Sequence, residues 1–341
     1  MPNFRSALCL STIAFLVVSL AGCGGGEFRR TEHYYLVAVN TDIPYWHAAK
    51  AGLMQAAAEI GVAAEVVGPE EYDPAAEKQA IEDLINVPED KLPAGILVSP
   101  ADPELMTPVI DSAVAKGVNV ICIDSDAPKS DRLTFVGTDN YSVGVRSAEM
   151  TAEQLQNAGN VIVFTIAGQA NLQDRLRGYR DIFAQFPAIR IVDVVDIKGD
   201  GAVAFDLTKE IIAKRRRTVD AFVCLESIAC PEVAEVLSRN AVRDKIVIAM
   251  DTPVRTLEWI QHGLIQATVA QRPYTMAYVG LRMLADYHKY KPERVEKERV
   301  IATVPKFVDT GAMVVTKKNV DRFLKDQASF EPEEAQAAAT E

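Results

Sequence analysis

Residues 95–124 read GILVSPADPELMTPVIDSAVAKGVNVICID, and this stretch decides the fold class of the chain. The apolar runs at 95–99 and 118–124 are short and continuous, which is typical of parallel strands buried on both faces. Between them, the segment that starts near Pro103 has the length and apolar spacing of an amphipathic helix. The stretch therefore predicts a strand, a helix and a parallel strand, the building block of a doubly wound sheet.

The same alternation continues in both directions along the chain. Helical stretches start near Tyr45 and Pro74, and a second series of strands and helices begins after Asp139. The other predicted strands are 35–40, 64–67, 161–166, 191–195, 221–225, 246–250, 267–270 and 300–304, the last two flanking a helix over 274–290. Two such series predict an α/β protein with two doubly wound, Rossmann-like lobes.

The N-terminal residues have the features of an export signal. Arg5 is the only charged residue among the first 26, and the apolar run at 7–20 is too short to span a bilayer comfortably. The run ends in Leu20-Ala21-Gly22-Cys23, which resembles the lipobox of bacterial lipoproteins. We expect a signal peptide over 1–22, a lipid on Cys23, a tether over 23–33, and export to a membrane-anchored position in the cell envelope. An ordinary signal peptide with a chance cysteine is the alternative.

The charge balance excludes nucleic acid as a partner. The chain has 36 basic and 47 acidic residues, and removal of 1–22 takes away only Arg5, so the formal charge changes from −11 to about −12. Binding a polyanion requires a concentrated basic surface. The one basic run, at 214–217, suits a helix C-terminus better than a binding patch.

Three cysteines remain if Cys9 is cleaved away and Cys23 is acylated, namely Cys122, Cys224 and Cys230. Each lies in or beside an apolar segment, so we expect buried free thiols, with a disulfide between Cys224 and Cys230 as the alternative. The sequence has no Cys-x-x-Cys pair and no histidines at ligand spacing. We therefore expect no metal site and no cofactor.

The candidate site lies at the carboxyl ends of the strands, where ligands bind in open parallel sheets. These positions are rich in carboxylates and amides and include one arginine, groups that bond hydroxyls as acceptors and as donors. The segments are 40–46, 99–102, 124–126, 138–140, 166–175, 225–227, 251–253 and 271–273.

At these positions the sequence resembles the ribose- and galactose-binding type of periplasmic binding protein, over nearly all of the mature chain. The motifs that carry the resemblance occur in the family's order. They are Pro44-Tyr45-Trp46 followed by Lys50 and Gly52, Val120-Ile121-Cys122-Ile123-Asp124, Thr138-Asp139-Asn140, Asp174-Arg175-Leu176-Arg177-Gly178-Tyr179, Met250-Asp251, Ala267-Thr268-Val269-Ala270-Gln271-Arg272-Pro273, and the segment 313–320.

The resemblance implies the type I architecture, in which a three-crossing hinge joins the two lobes. We expect the crossings near Gly137, within 253–271 and within 304–310. The expected divisions are an N-terminal lobe of 34–138 plus 272–303, a C-terminal lobe of 139–271 plus 304–320, and a polar tail of 321–341 that is disordered or a loosely attached helix.

The resemblance also implies a set of ligand-binding residues. Trp46 and Tyr45 would pack on a sugar ring, and its hydroxyls would bond Asp124, Arg175, Asp251 and Gln271. Glu226 stands where the family usually has Asn. An ionised Glu226 only accepts hydrogen bonds, so the ligand or Arg175 has to donate to it, which favours a ligand with an amino group over a plain pentose.

Other roles for these residues stay open from the sequence. Tyr45 and Trp46 are also suited to core packing, and Asp124 and Asp251 to helix N-capping. Arg175 is also able to pair with Asp174 or Glu226 on the surface.

The expected function is capture of a small polar ligand, a monosaccharide, by closure of the two lobes, without catalysis. The expected partner is an ABC permease in the membrane, and the protein is expected to act as a monomer. One alternative is a sensory subunit whose closed form docks a chemoreceptor or a histidine kinase. Another is an exported glycoside hydrolase that uses Asp124, Asp251 or Glu226 as acid and base.

Overall fold

The computed structural model describes residues 31–290 and 304–327. The predicted signal peptide, Cys23, most of the tether, most of the predicted strand at 300–304 and the last part of the polar tail lie outside the described residues. Within the described ranges, none of the helices combines the length and the hydropathy needed to cross a bilayer.

Strands and helices alternate along the described chain. The strands are β1 (His33–Val37), β2 (Ala63–Val67), β3 (Gly95–Val98), β4 (Asn119–Ile123), β5 (Phe135–Gly137), β6 (Gly159–Thr165), β7 (Ile189–Asp196), β8 (Ala221–Cys224), β9 (Ile246–Met250), β10 (Ala267–Ala270), β11 (Phe307–Asp309) and β12 (Met313–Thr316). The helices are α1 (Pro44–Ile60), α2 (Pro74–Ile85), α3 (Pro103–Ala115), α4 (Asn140–Gln154), α5 (Ala170–Phe183), α6 (Gly201–Arg215), α7 (Ala229–Arg239), α8 (Val254–Gln261), α9 (Pro273–Lys289) and α10 (Val320–Gln327).

Local sequence fixes several helix ends. The helices α1, α2, α3 and α9 each begin with proline, whose fixed φ and missing amide hydrogen suit the first helical position. Asp73 and Asp102 then cap α2 and α3, because their side chains accept hydrogen bonds from first-turn amides. The helix α1 stops at Gly61, whose φ of 77° lies in the left-handed region.

Within the described residues, the strands form two six-stranded sheets of matching order. The first runs β11-β5-β4-β3-β1-β2, and the second runs β12-β10-β9-β8-β6-β7. The strands pair in parallel, except that β12 is antiparallel to β10. The predicted fold class, two doubly wound α/β lobes, is therefore confirmed.

The chain passes between the two sheets at three places in the described residues. These places lie between β5 and α4, between β10 and α9, and between β11 and β12. Helix α9 packs on α1 and on the first sheet, so the segment after β10 returns to the first lobe.

One predicted boundary is wrong. Residues 304–320 were expected in the second lobe, but β11 pairs with β5 of the first sheet. Stacking of Phe307 on Phe135, with ring centroids 5.3 Å apart, accompanies this pairing. The third crossing therefore follows Asp309 and lies at 310–312, and only the part after it, including β12, joins the second lobe.

The start of the predicted polar tail is an attached helix. In α10, Phe323 and Leu324 pack against the core of the second lobe. The amide of Gln261 in α8 donates a hydrogen bond of 2.6 Å to Asp321. An apolar pair within a polar segment is enough to hold one short helix on the lobe.

The expectation of free thiols is wrong for two of the three cysteines. Cys224 ends β8, Cys230 lies in the first turn of α7, and the two form a disulfide. The short strand-to-helix turn places their Cα atoms 5.7 Å apart, within the range that a disulfide spans. Cys122 is a buried free thiol.

Candidate functional site

A cavity lies between the two lobes at the carboxyl ends of both sheets. It is partly open to solvent and holds about 60 Å³ of space for water-sized molecules. All seven predicted site residues line it, namely Tyr45, Trp46, Asp124, Arg175, Glu226, Asp251 and Gln271. The residues predicted from their positions at strand ends therefore lie around one shared cavity.

Two aspartates occupy equivalent positions in the two lobes. Asp124 directly follows β4 and Asp251 directly follows β9, and both have left-handed backbones with φ of 62° and 63°. Such φ values are uncommon outside glycine and cluster at functional sites. Asp124 accepts hydrogen bonds from the Tyr45 hydroxyl at 2.5 Å and from Ser99 Oγ at 3.2 Å.

Asp251 does not cap the helix that follows it. Helix α8 begins without a side-chain cap, and the Asp251 carboxylate instead accepts a hydrogen bond of 3.0 Å from Gln271 Nε2. In both lobes the aspartate thus faces the cavity, and the N-capping alternative is wrong.

Arg175 is buried, with 2% of its surface exposed. Its Nε donates to Asn140 Oδ1 at 2.9 Å, and its Nη1 donates to the Leu225 carbonyl oxygen at 2.6 Å. The alternative of a surface ion pair with Asp174 is wrong, because Asp174 pairs with Arg177 at 3.0 Å. Among the described residues, Arg175 Nη2 has no hydrogen-bond partner.

Gln271 supplies the complementary unpaired group. Because its Nε2 donates to Asp251, its Oε1 remains as an acceptor, and Oε1 has no partner in the described part of the chain. Buried polar atoms in proteins are almost always hydrogen-bonded. A donor on Arg175 and an acceptor on Gln271, both lining one cavity, are suited to a ligand that accepts and donates.

The two aromatic residues both pack and line the cavity. Trp46 is almost fully buried in the first core, and its Nε1 donates to Asn40 Oδ1 at 2.9 Å. The Tyr45 ring contacts the Trp46 ring edge to face, at a centroid distance of 5.2 Å. Core packing thus fixes the orientation of the aromatic wall.

Glu226 binds the protein backbone. Its Oε2 accepts from the Ile228 amide at 2.5 Å, and its Oε1 accepts from the Ala229 amide at 3.2 Å, at the N-terminus of α7. Glu226 therefore has donors without Arg175 or a ligand, and donation by a ligand stays a prediction. The negative charge also lies at the end of the helix where the macrodipole favours an anion.

Burial raises the pKa of all three cavity carboxyl groups. The pKa of Glu226 is raised to about 7 and that of Asp251 to about 6, and the pKa of Asp124 is also raised. In each case the positive charge of Arg175 acts in the opposite direction and favours ionisation.

A pH dependence follows from the raised pKa of Glu226. Between the ordinary pKa of 4.5 and about 7, the folded protein holds the Glu226 proton more tightly than the unfolded chain does. The resulting stabilisation is complete below 4.5 and is lost as the pH rises through about 7. The wild type should therefore lose stability between pH 5 and pH 8 relative to Glu226→Gln, whose side chain does not titrate. We expect the difference in unfolding free energy, variant minus wild type, to increase by up to about 3 kcal/mol over this range. Urea unfolding at both pH values measures this, and an equal difference at both would contradict it.

Four polar residues around the cavity are not among the individually predicted site residues. Asn40 orients Trp46, Ser99 bonds Asp124, and Asn140 orients Arg175. Asn171 Nδ2 lies 3.5 Å from Asp124 Oδ2 and joins the lobes across the cavity. All four are polar residues in the strand-end segments, and this position was the available signal.

A second contact joins the lobes outside the cavity. Tyr72, between β2 and α2, packs against the core of the second lobe. Gly199, between β7 and α6, has a φ of 74°, and a Cβ there would lie 2.6 Å from Tyr72 Cβ and Cγ. The lobes approach this closely because residue 199 is glycine.

Comparison with known proteins agrees with this architecture. The sequence of residues 34–292 matches the family model of the periplasmic binding protein domain. The D-allose-binding periplasmic protein of Escherichia coli strain K12 is 25% identical over 289 residues, 82% of this chain and 89% of the relative.

Two solved structures have the same fold over most of their length. GanP, a glucose-galactose binding protein from Geobacillus stearothermophilus, has a TM-score of 0.76 and 29% identity over 84% of this chain and 98% of its own. AraP, an arabinose binding protein from the same organism, has a TM-score of 0.71 and 32% identity over 86% of this chain and 99% of its own. From the matched domain and the two doubly wound lobes, the chain belongs to the type I periplasmic binding protein family.

Proposed function

We propose that this protein captures one monosaccharide-sized, polyhydroxylated ligand between its lobes and delivers it unchanged to an ABC permease. The observation that carries the proposal is the pair of unpaired buried groups, Arg175 Nη2 and Gln271 Oε1, in a cavity lined by both lobes. A sugar hydroxyl both accepts and donates, so it satisfies both groups. The relatives described above are named as sugar-binding proteins, which supports the same ligand class.

Closure around the ligand is the proposed mechanism. Tyr45 and Asp124 contribute from the first lobe, and Arg175 and Asp251 contribute from the second. A ligand that contacts both sets gains its full binding free energy only when the lobes are together, so it shifts the population toward the closed form. A permease then distinguishes loaded from empty protein by the closed surface.

The proposed location is the cell envelope. An apolar run followed by Leu20-Ala21-Gly22-Cys23 supports export and a lipid on Cys23. A lipid anchor with a short tether would hold the protein at the membrane that contains its permease. The mass of the protein purified from its native membrane tests the anchor. We expect the wild type to carry the additional mass of a lipid and the Cys23→Ser variant to lack it.

A ligand panel tests the proposed function. We expect at least one monosaccharide or amino sugar to raise the melting temperature of the purified protein and to be recovered chemically unchanged by mass spectrometry. The hydrolase alternative has less support, because the oxygens of Glu226 accept from backbone amides and Asp124 is bonded by neighbouring hydroxyls. Turnover of an added glycoside, or no binding by any sugar, would contradict the proposal.

A further inference from the structure

The charges that line the cavity do not balance. Four lining residues are charged, the carboxylates Asp124, Glu226 and Asp251 and the guanidinium of Arg175. When all are ionised, their formal charge is −2. Protonation of Glu226, whose pKa is about 7, reduces it to −1, so the cavity keeps a net negative charge at pH 7. All four are buried or nearly so, so water screens this excess poorly.

The arginine does not neutralise the carboxylates by direct contact in the described chain. Its Nε and Nη1 hydrogens go to neutral acceptors, the Asn140 amide oxygen and the Leu225 carbonyl oxygen. The donors to the carboxylates are neutral as well. Asp124 is bonded by hydroxyls, Asp251 by the Gln271 amide, and Glu226 by backbone amides. Hydrogen bonds from neutral donors stabilise a carboxylate but leave its charge in place.

A metal ion is not suited to supply the missing positive charge. Within the described ranges, no three His, Cys, Asp or Glu side chains are grouped closely enough to hold one. The unpaired Arg175 Nη2 and Gln271 Oε1 also point to an organic ligand with hydroxyl groups. The compensating charge is therefore best carried by the ligand itself.

We propose that the ligand is an amino sugar or amino polyol, a polyhydroxylated molecule with one protonated amine, and that the cavity discriminates against sugar acids and sugar phosphates. The inference rests on the proposed function and narrows its ligand class. An ammonium group brings three donors and one positive charge, both of which match an excess of carboxylate acceptors.

The amine position is assigned to the second-lobe side of the cavity. Glu226 and Asp251 both lie there, at the ends of the neighbouring strands β8 and β9. They interact electrostatically, since the charge of Asp251 contributes to raising the pKa of Glu226. A cation between them would relieve this repulsion, while hydroxyls of the same ligand bond Arg175 and Gln271.

Calorimetry with matched sugars tests the inference. The probes are D-glucosamine with D-glucose, D-galactosamine with D-galactose, and D-glucuronate as the anion, at about pH 7. We expect one amino sugar to bind at least about tenfold more tightly than its neutral counterpart, and no binding of the anion. Glu226→Gln and Asp251→Asn should each reduce this preference about tenfold, whereas Asp174→Asn, an exposed change on α5, should leave the preference unchanged.

The outcomes separate this inference from the proposed function. A neutral sugar that binds as tightly as its amino counterpart would overturn the inference and leave sugar capture intact. A preference that survives both carboxamide variants would overturn the assigned position of the amine. Absence of binding by every sugar in the panel would overturn both proposals.

Discussion

Arg175→Ala is expected to lower ligand affinity at least about 100-fold, because the variant removes a buried guanidinium that faces the cavity. Two of its nitrogens orient the group through Asn140 and Leu225, and Nη2 is left for the ligand. Titration calorimetry, with whichever sugar of the panel binds the wild type, measures the loss. Retention of affinity within about threefold would remove Arg175 from the site.

Two further variants separate binding from folding. Arg177→Ala lies two residues away on α5 and removes an exposed ion pair with Asp174, so we expect unchanged affinity. Arg175→Lys keeps the charge but loses the planar fork, and we expect it to fold and still to bind weakly. Circular dichroism and the melting temperature without ligand establish that each variant is folded. A folded Arg175→Lys with wild-type affinity would contradict the assigned role of Nη2.

Gly199→Ala is expected to weaken ligand binding about tenfold without touching the cavity. The added Cβ would lie 2.6 Å from Tyr72 Cβ and Cγ, so the lobes have to stay further apart at this edge. Overpacking of this kind costs about 1–3 kcal/mol, and the cost falls on the closed form only. Titration calorimetry measures affinity, and small-angle X-ray scattering with saturating ligand measures closure.

The chain provides a matched control for the backbone effect. Gly263 has a φ of 76°, close to the 74° of Gly199, but an added Cβ there meets nothing within 4 Å. Gly263→Ala should therefore lose a similar amount of folding stability and bind normally. The double variant Tyr72→Ala with Gly199→Ala should recover most of the affinity. Failure of this rescue would show that the contact does not limit closure.

The sequence located the candidate site but not its internal bonding. Polar residues at strand ends indicated where Asp124 and Asp251 lie, because carboxyl ends of parallel strands meet at one edge. Sequence patterns did not predict the hydrogen-bond partners of Arg175, because Asn140 and Leu225 are 35 and 50 residues away along the chain. The hydrogen bonds of Glu226 to the amides of Ile228 and Ala229 depend on how β8 turns into α7, which apolar periodicity does not encode.

By itself, the sequence determined the two α/β lobes, the segments that line their shared cavity and the excess of carboxylates among them. These properties follow from local periodicity and from residue type, which act over a few neighbouring residues. The tertiary structure alone decided that β11 joins the first sheet, that Cys224 meets Cys230, and that Tyr72 packs near Gly199. Each of these depends on the packing of segments that are close in space, and pairing partners of this kind leave no periodic trace in the chain.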